Sequence, residues 1–112
     1  MDSILDSIKK LLGIQPEYKS FDQDIMMHIN AVFVVLNQLG IGPSEGFSIN
    51  SRDIKWSKYS TELNTNLVKT YVYLKVRLMF DPPASATLVE SINATIKELE
   101  WRLCLEGDKG GE

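Results

Sequence analysis

A chain of 112 residues suits one domain, and 44% hydrophobic with 24% charged residues supplies both a core and a wetted surface. The formal net charge of -3 argues against tight wrapping of nucleic acid, which depends on clustered Lys and Arg, and leaves room only for passing contact with DNA. With Cys104 as the lone cysteine, an intrachain disulfide and the metal spacings that need two thiolates are excluded, which points to a reducing, cytoplasmic folding site. Met1 to Asp6 carry acids where a secretory signal needs an apolar run, and no apolar stretch approaches the length of a membrane span, so no membrane association is expected.

Ile4, Ile8 and Leu11, with Leu5 and Leu12 beside them, predict a short amphipathic helix capped by Asp2 or Ser3 and closed by Gly13. Lys9 and Lys10 lie near its C-terminal end, suit the helix dipole, and read as a solvated face rather than a membrane anchor. After a linker at Pro16, Ser20-Phe21-Asp22-Gln23 has the form of a capping box, with Asp22 and Asp24 adding negative charge at a helix start. The helix that follows runs to about Leu39, where Gly40 stops it. Its main stripe is Ile25, Ile29, Val32, Leu36 and Leu39, and Met27, Ala31 and Val34 occupy the reverse face. A helix apolar almost all round is either central in its domain or shared with a neighbouring subunit.

Gly40, Gly42, Pro43, Ser44 and Gly46 mark a loop pinned by Phe47 and Ile49. Ser51 or Asp53 caps a short helix carrying Ile54, Trp56 and Tyr59, before a polar break ending near Asn66. From Asn66 to Leu103 two helices are joined by Asp81-Pro82-Pro83, because neither proline donates a ladder hydrogen bond and Pro82 pushes Asp81 out of the α region. Pro83 or Ser85 opens the second of these helices. On the first, Leu67, Tyr71, Leu74 and Leu78 form one stripe and Val68, Val72, Val76 and Met79 another, so Leu74 and Leu78 are expected among the most buried residues. On the second, Leu88, Ile92, Ile96, Leu99 and Leu103 face inward. The fold expected is therefore all-α, a compact bundle of four to five helices with a C-terminal helical hairpin. Residues 1–106 form its single domain, and 107–112, with no apolar residue, form a disordered tail.

Little in this pattern suggests catalysis. His28 sits in the apolar arc of its helix with no second His or Cys at ligand spacing, so it reads as structural and no metal is expected. Cys104 lacks an activating motif, and no Gly-x-Ser-x-Gly elbow is present. The glycines at 40, 42 and 46 lack the Lys-Ser/Thr ending of a phosphate loop, so no cofactor is expected. Three outliers suggest contact surfaces instead. Lys75 falls inside an apolar arc, where its stem either packs while the ammonium reaches water or a carboxylate, or faces another subunit. Arg77 lies on the outer side with Lys69 and Tyr73. Trp101 lies opposite the last helix's inward stripe and shares that reverse side with Ala94 and Leu105, which makes this face an interface candidate.

Many segments together resemble the small head-tail connector proteins of tailed bacteriophages and prophages. They include Ile4-Leu5 through Lys9-Lys10-Leu11-Leu12-Gly13, Phe21-Asp22 with His28-Ile29-Asn30, and Leu36-Asn37-Gln38-Leu39-Gly40. They continue through Gly42-Pro43 to Phe47, the Trp56 segment, Val68 to Arg77, Phe80-Asp81-Pro82-Pro83, and Glu98-Leu99-Glu100-Trp101-Arg102-Leu103. The resemblance implies an all-helical adaptor, found in the virion at the head-tail junction. It would form a ring of about a dozen subunits under the portal, extend the DNA channel and receive the tail or a tail-completion protein. None of these segments marks interface positions, so Lys75, Arg77, Ala94, Trp101 and Leu105 are candidates from the residues alone. The rival class is a small helical regulatory or protein-binding module without catalysis, which an acidic chain with one amphipathic surface would equally suit.

Overall fold

The computed structural model describes residues 3–59 and 65–110, which form five helices: α1 Ile4–Leu12, α2 Asp22–Gln38, α3 Trp56–Tyr59, α4 Thr65–Phe80 and α5 Ala86–Gly110. The architecture is the all-α bundle with a C-terminal hairpin that the periodicity predicts. Helix α4 is its packing centre, touching α2, α5 and α1, while α1 also packs on α2. The core is built from Ile4, Leu5 and Ile8 of α1, Ile25, Ile29, Val32, Phe33 and Leu36 of α2, Val68, Tyr71, Val72 and Val76 of α4, and Ile92, Ile96, Leu99 and Leu103 of α5. The thinnest dimension, 20 Å, leaves room for only two layers of helix at roughly 10 Å each, so every helix keeps one face on the outside.

Local capping chemistry sets four of the helix ends. Ser3 Oγ accepts from the Asp6 amide at 3.2 Å to open α1, and Ser85 Oγ accepts from the Leu88 amide at 3.3 Å to open α5, so Ser85 rather than Pro83 is the cap. Helices α1 and α2 both end in the paired-bond motif that needs a left-handed residue. Gly13 and Gly40 take φ of 83° and 81°, with Ile14 N–H donating to Lys9 O and Ile41 N–H to Leu36 O. The capping box at Ser20 does not form: α2 starts after Phe21 with no side-chain cap. Lys9 is fully buried, and its ammonium donates to Pro16 O at 3.1 Å and Tyr18 O at 2.7 Å while lying 2.7 Å from Asp22 Oδ1. These contacts fix the strap between α1 and α2 and engage the first acid of α2. Lys9 is thus a buried clip, not the solvated residue its position beside exposed Lys10 suggests. Two of its protons are donated to carbonyls and its charge faces a carboxylate, which is the condition for burying an ammonium at tolerable cost.

Two expectations about faces are also corrected. Leu74 and Leu78 are only half-buried, while Val68, Tyr71, Val72 and Val76 are the buried side of α4. Two adjacent apolar stripes define a wide arc, and periodicity does not say which part of it meets the core. Leu88 is exposed, and the inward stripe of α5 begins at Ile92: spacing shows the face of a helix but not how far its partner covers it.

Between α2 and α3 the chain is tied down by side chains. Asn30 forms a two-bond pair with the backbone of Ile49 (2.7 and 2.9 Å), and Asn37 Nδ2 donates to Pro43 O. Phe47 packs edge-on against Phe33 and Tyr59. Ser51 Oγ accepts from the Asp53 amide in a turn before α3, so it does not cap the helix, and Ile54 precedes the helix rather than lying on it. Ile54 O instead accepts from the Ile4 amide, joining this segment to the start of α1. The polar break predicted from 60 to 66 lies mostly outside the described residues. Helix α5 is described to Gly110, four residues into the segment 107–112, and 111–112 lie outside the described residues.

Candidate functional site

The residues singled out in sequence fall on three separate surfaces. Lys75 lies on α4 in a groove whose walls are Ala31, Val32 and Val35 of α2 and Asn93 and Ile96 of α5, with Leu78 and Met79 of α4 beside it on the floor. The groove encloses about 240 Å³. It exists because α2 and α5 both pack on α4 more than on each other, leaving a trough above the helix they share. The Lys75 ammonium stands 5.7 Å over the ring of Tyr71, one turn earlier, and no carboxylate among the described residues pairs with it. The structure gives its ammonium no carboxylate among these residues, which leaves water or another subunit as its partner.

Arg77 is on the opposite flank of α4, beside Leu11, Leu12, Gly13 and Asp81, with Nη1 3.4 Å from the Tyr73 hydroxyl. It does not share a surface with Lys75. Ala94, Trp101 and Leu105 form a third surface along the outside of α5, where all three are exposed and Trp101 is 64% exposed. Glu98 lies on the same side and pairs with Arg102 at 3.0 Å, an exposed one-turn pair. The inner side of α5 is fastened by Glu100, whose Oε2 accepts from the Tyr71 hydroxyl at 2.7 Å. Burial, and then the Glu100 carboxylate, push the Tyr71 hydroxyl well above its ordinary value, so it stays a donor.

Two surface features escaped the sequence reading. Tyr18, Phe21, His28 and Phe80 stack in a chain of ring contacts with centroids 5.2 to 6.4 Å apart at the junction of the strap, α2 and the end of α4. Tyr18 and Phe21 keep much of their area exposed. His28 is thus a half-buried structural ring at the edge of this cluster. The second feature is exposed apolar surface at Met27 and Val34 of α2, on the helix face next to the groove residue Ala31 at 100° per residue. Their reverse-face spacing was visible, but nothing in sequence showed that Met79 of another helix lines the same groove as Ala31.

Among the described residues no group of His, Cys, Asp and Glu is placed to hold a metal ion, and no helix is long and apolar enough to cross a membrane. Burial raises the Tyr59 hydroxyl to about 12, and that group faces Ile41 O inside the core. Arg52 is raised by its hydrogen bond and charge contact with Asp6, a link from the α3 segment to α1. Compared with known proteins, residues 4–110 match a family model described as phage connector protein. No curated protein and no solved structure matches the chain.

Proposed function

The chain belongs to the phage connector proteins, and from that premise we propose that it forms a ring between the portal and the tail of a tailed phage or prophage, continuing the DNA channel. The observation that carries this reading is the span of the family match, which takes in all five helices. The surfaces described above support it: a convex apolar face on α5, an apolar groove over α4, and a net charge of -3 that gives passing DNA little to adhere to. Lys75, Arg77, Ala94, Trp101 and Leu105 are the proposed subunit or portal contacts. Ring subunits meet through two different patches. Weak single contacts, made strong by the repeated subunits of a portal, confine closure to that template and leave the free chain at most a small oligomer. The chain is then made in the host cytoplasm and retained in the virion at the head-tail junction.

Removing the gene from a producing phage or prophage tests the proposal. The expected result is DNA-filled heads that do not join tails, with tail joining restored when the purified chain is added back. Normal tailed particles, or particles from which the chain is absent by mass spectrometry, would overturn it.

A further inference from the structure

If the connector reading holds, each subunit has two neighbours, and the shape and charge of this chain select which surfaces pair. The α5 ridge of Ala94, Trp101 and Leu105 is convex, with a tryptophan standing out from it. The groove over α4 is concave, apolar and empty of side chains from its own chain. Around α5, the groove wall at Asn93 and Ile96 is roughly 130° from the ridge at 100° per residue, so the two surfaces cannot meet within one molecule. Neither is self-complementary: ridge on ridge sets tryptophan against tryptophan, and groove on groove sets lysine against lysine. Charge agrees with shape. Among the described residues Lys75 is the one charged side chain lining the groove, and it has no carboxylate partner. On the ridge, Glu98 lies one turn from both Ala94 and Trp101 and is held only by the exposed Arg102, a kind of pair that contributes little and is easily exchanged. Glu90 flanks the same face one turn before Ala94, and Lys97 lies on its edge toward the groove side.

We infer that the Ala94–Trp101–Leu105 ridge of one copy seats in the α2–α4–α5 groove of the next, with Trp101 against Leu78 and Met79 and Glu98 paired to Lys75. This is a head-to-tail contact, because each copy offers its ridge to one neighbour and its groove to the other. A tryptophan entering a desolvated pocket is the kind of central anchor that dominates interface energy. Met79 supplies a floor that adapts to it. The exposed Met27 and Val34 on the α2 rim widen the apolar contact beyond the groove itself.

The test is a charge exchange in the full chain, followed by sedimentation velocity up to millimolar concentration, with circular dichroism to confirm helix content. Lys75→Glu and Glu98→Lys should each weaken self-association by about tenfold or more, since like charges set against each other in an interface oppose binding strongly. The double variant should recover most of the loss. In parallel, a benzophenone amino acid at position 101 should cross-link, on illumination, to groove residues of α2, α4 or the Asn93–Ile96 wall of α5 in a second copy. The contact is overturned if the double variant is as weak as the sum of the singles, if the cross-links map to the ridge face of α5 or to anything other than the groove residues, its Asn93–Ile96 wall included, or if the native chain neither associates nor cross-links at the highest concentration. Presence of the chain in particles is measured separately. A chain found in virions whose association ignores the exchange sinks this contact and spares the connector reading, and the converse pattern does the reverse.

Discussion

The corner where α1 meets α3 and the outer face of α5 each carry a tryptophan, and the fold treats them in opposite ways. Trp56 is 2% exposed, its Nε1 donates to Ser7 Oγ at 2.8 Å, its ring meets Phe33 edge-on, and Lys69 Nζ lies 5.8 Å over it. Trp101 is 64% exposed, and no ring or hydrogen-bond partner holds it among the described residues. An indole stabilises a monomer only where its faces are packed and its N–H is satisfied. Placed outside, the same ring does nothing for folding and becomes available to a partner.

The widest separation between the two regions is expected on truncation. Trp56→Ala should cost about 3–5 kcal/mol of folding stability, the range for removing a large buried aromatic. Trp101→Ala should stay within about 0.5 kcal/mol of the native chain, as at other exposed positions, while abolishing incorporation into heads. Denaturant melts of both variants check this pair of outcomes. A large stability loss at Trp101 would erase the contrast and make it a core residue.

The Lys9 clip belongs to the well-satisfied corner and sharpens the comparison further. Lys9→Ala should cost about 3–5 kcal/mol, because it leaves Asp22 and the carbonyls of Pro16 and Tyr18 without their buried cation. Lys9→Met keeps the packed stem and should cost less. Lys75→Met, on the groove side, should instead leave stability nearly unchanged in the same melts, because no carboxylate among the described residues loses a partner there.

Between these extremes is the fastening of α5. Tyr71→Phe removes the 2.7 Å bond to Glu100 and should cost about 1.5–3 kcal/mol, the range for hydrogen bonds to charged groups. Tyr59 and Tyr71 hold their protons more tightly folded than unfolded, so their contribution is fully present below the ordinary tyrosine value of 10.0. It is lost as pH rises from there through about 12, the value to which Tyr59 is raised. Urea melts across that interval should show stability falling with pH, and Tyr59→Phe should fall less steeply. The smallest effect is expected on the α5 surface, where Arg102→Ala removes a solvent-exposed pair worth about 0.3–0.5 kcal/mol.

The sequence by itself determined what depends on neighbours along the chain. The proline pair ends α4 at Phe80, Ser3 and Ser85 cap their helices, and Gly13 and Gly40 terminate theirs, because each acts on backbone groups within a turn. The inward stripe of α5 from Ile92 to Leu103 and the outward position of Trp101 were legible for a related reason, since a helix with one narrow apolar side has only one way to face a core. What the tertiary structure decided is everything that required knowing a distant partner. On α4 two apolar stripes competed, and the positions of α1, α2 and α5 selected the Val68–Val76 side over Leu74 and Leu78. Lys9 looked like a surface residue until the strap wrapped over it with two carbonyls and the start of α2 supplied Asp22. The capping signal at Ser20 goes unused, and α2 starts after Phe21 with no side-chain cap. The groove around Lys75 is a space between three helices and so belongs to none of their sequences. Periodicity fixes the faces of a single helix, but burial, ion pairing and concavity are properties of two or more elements at once.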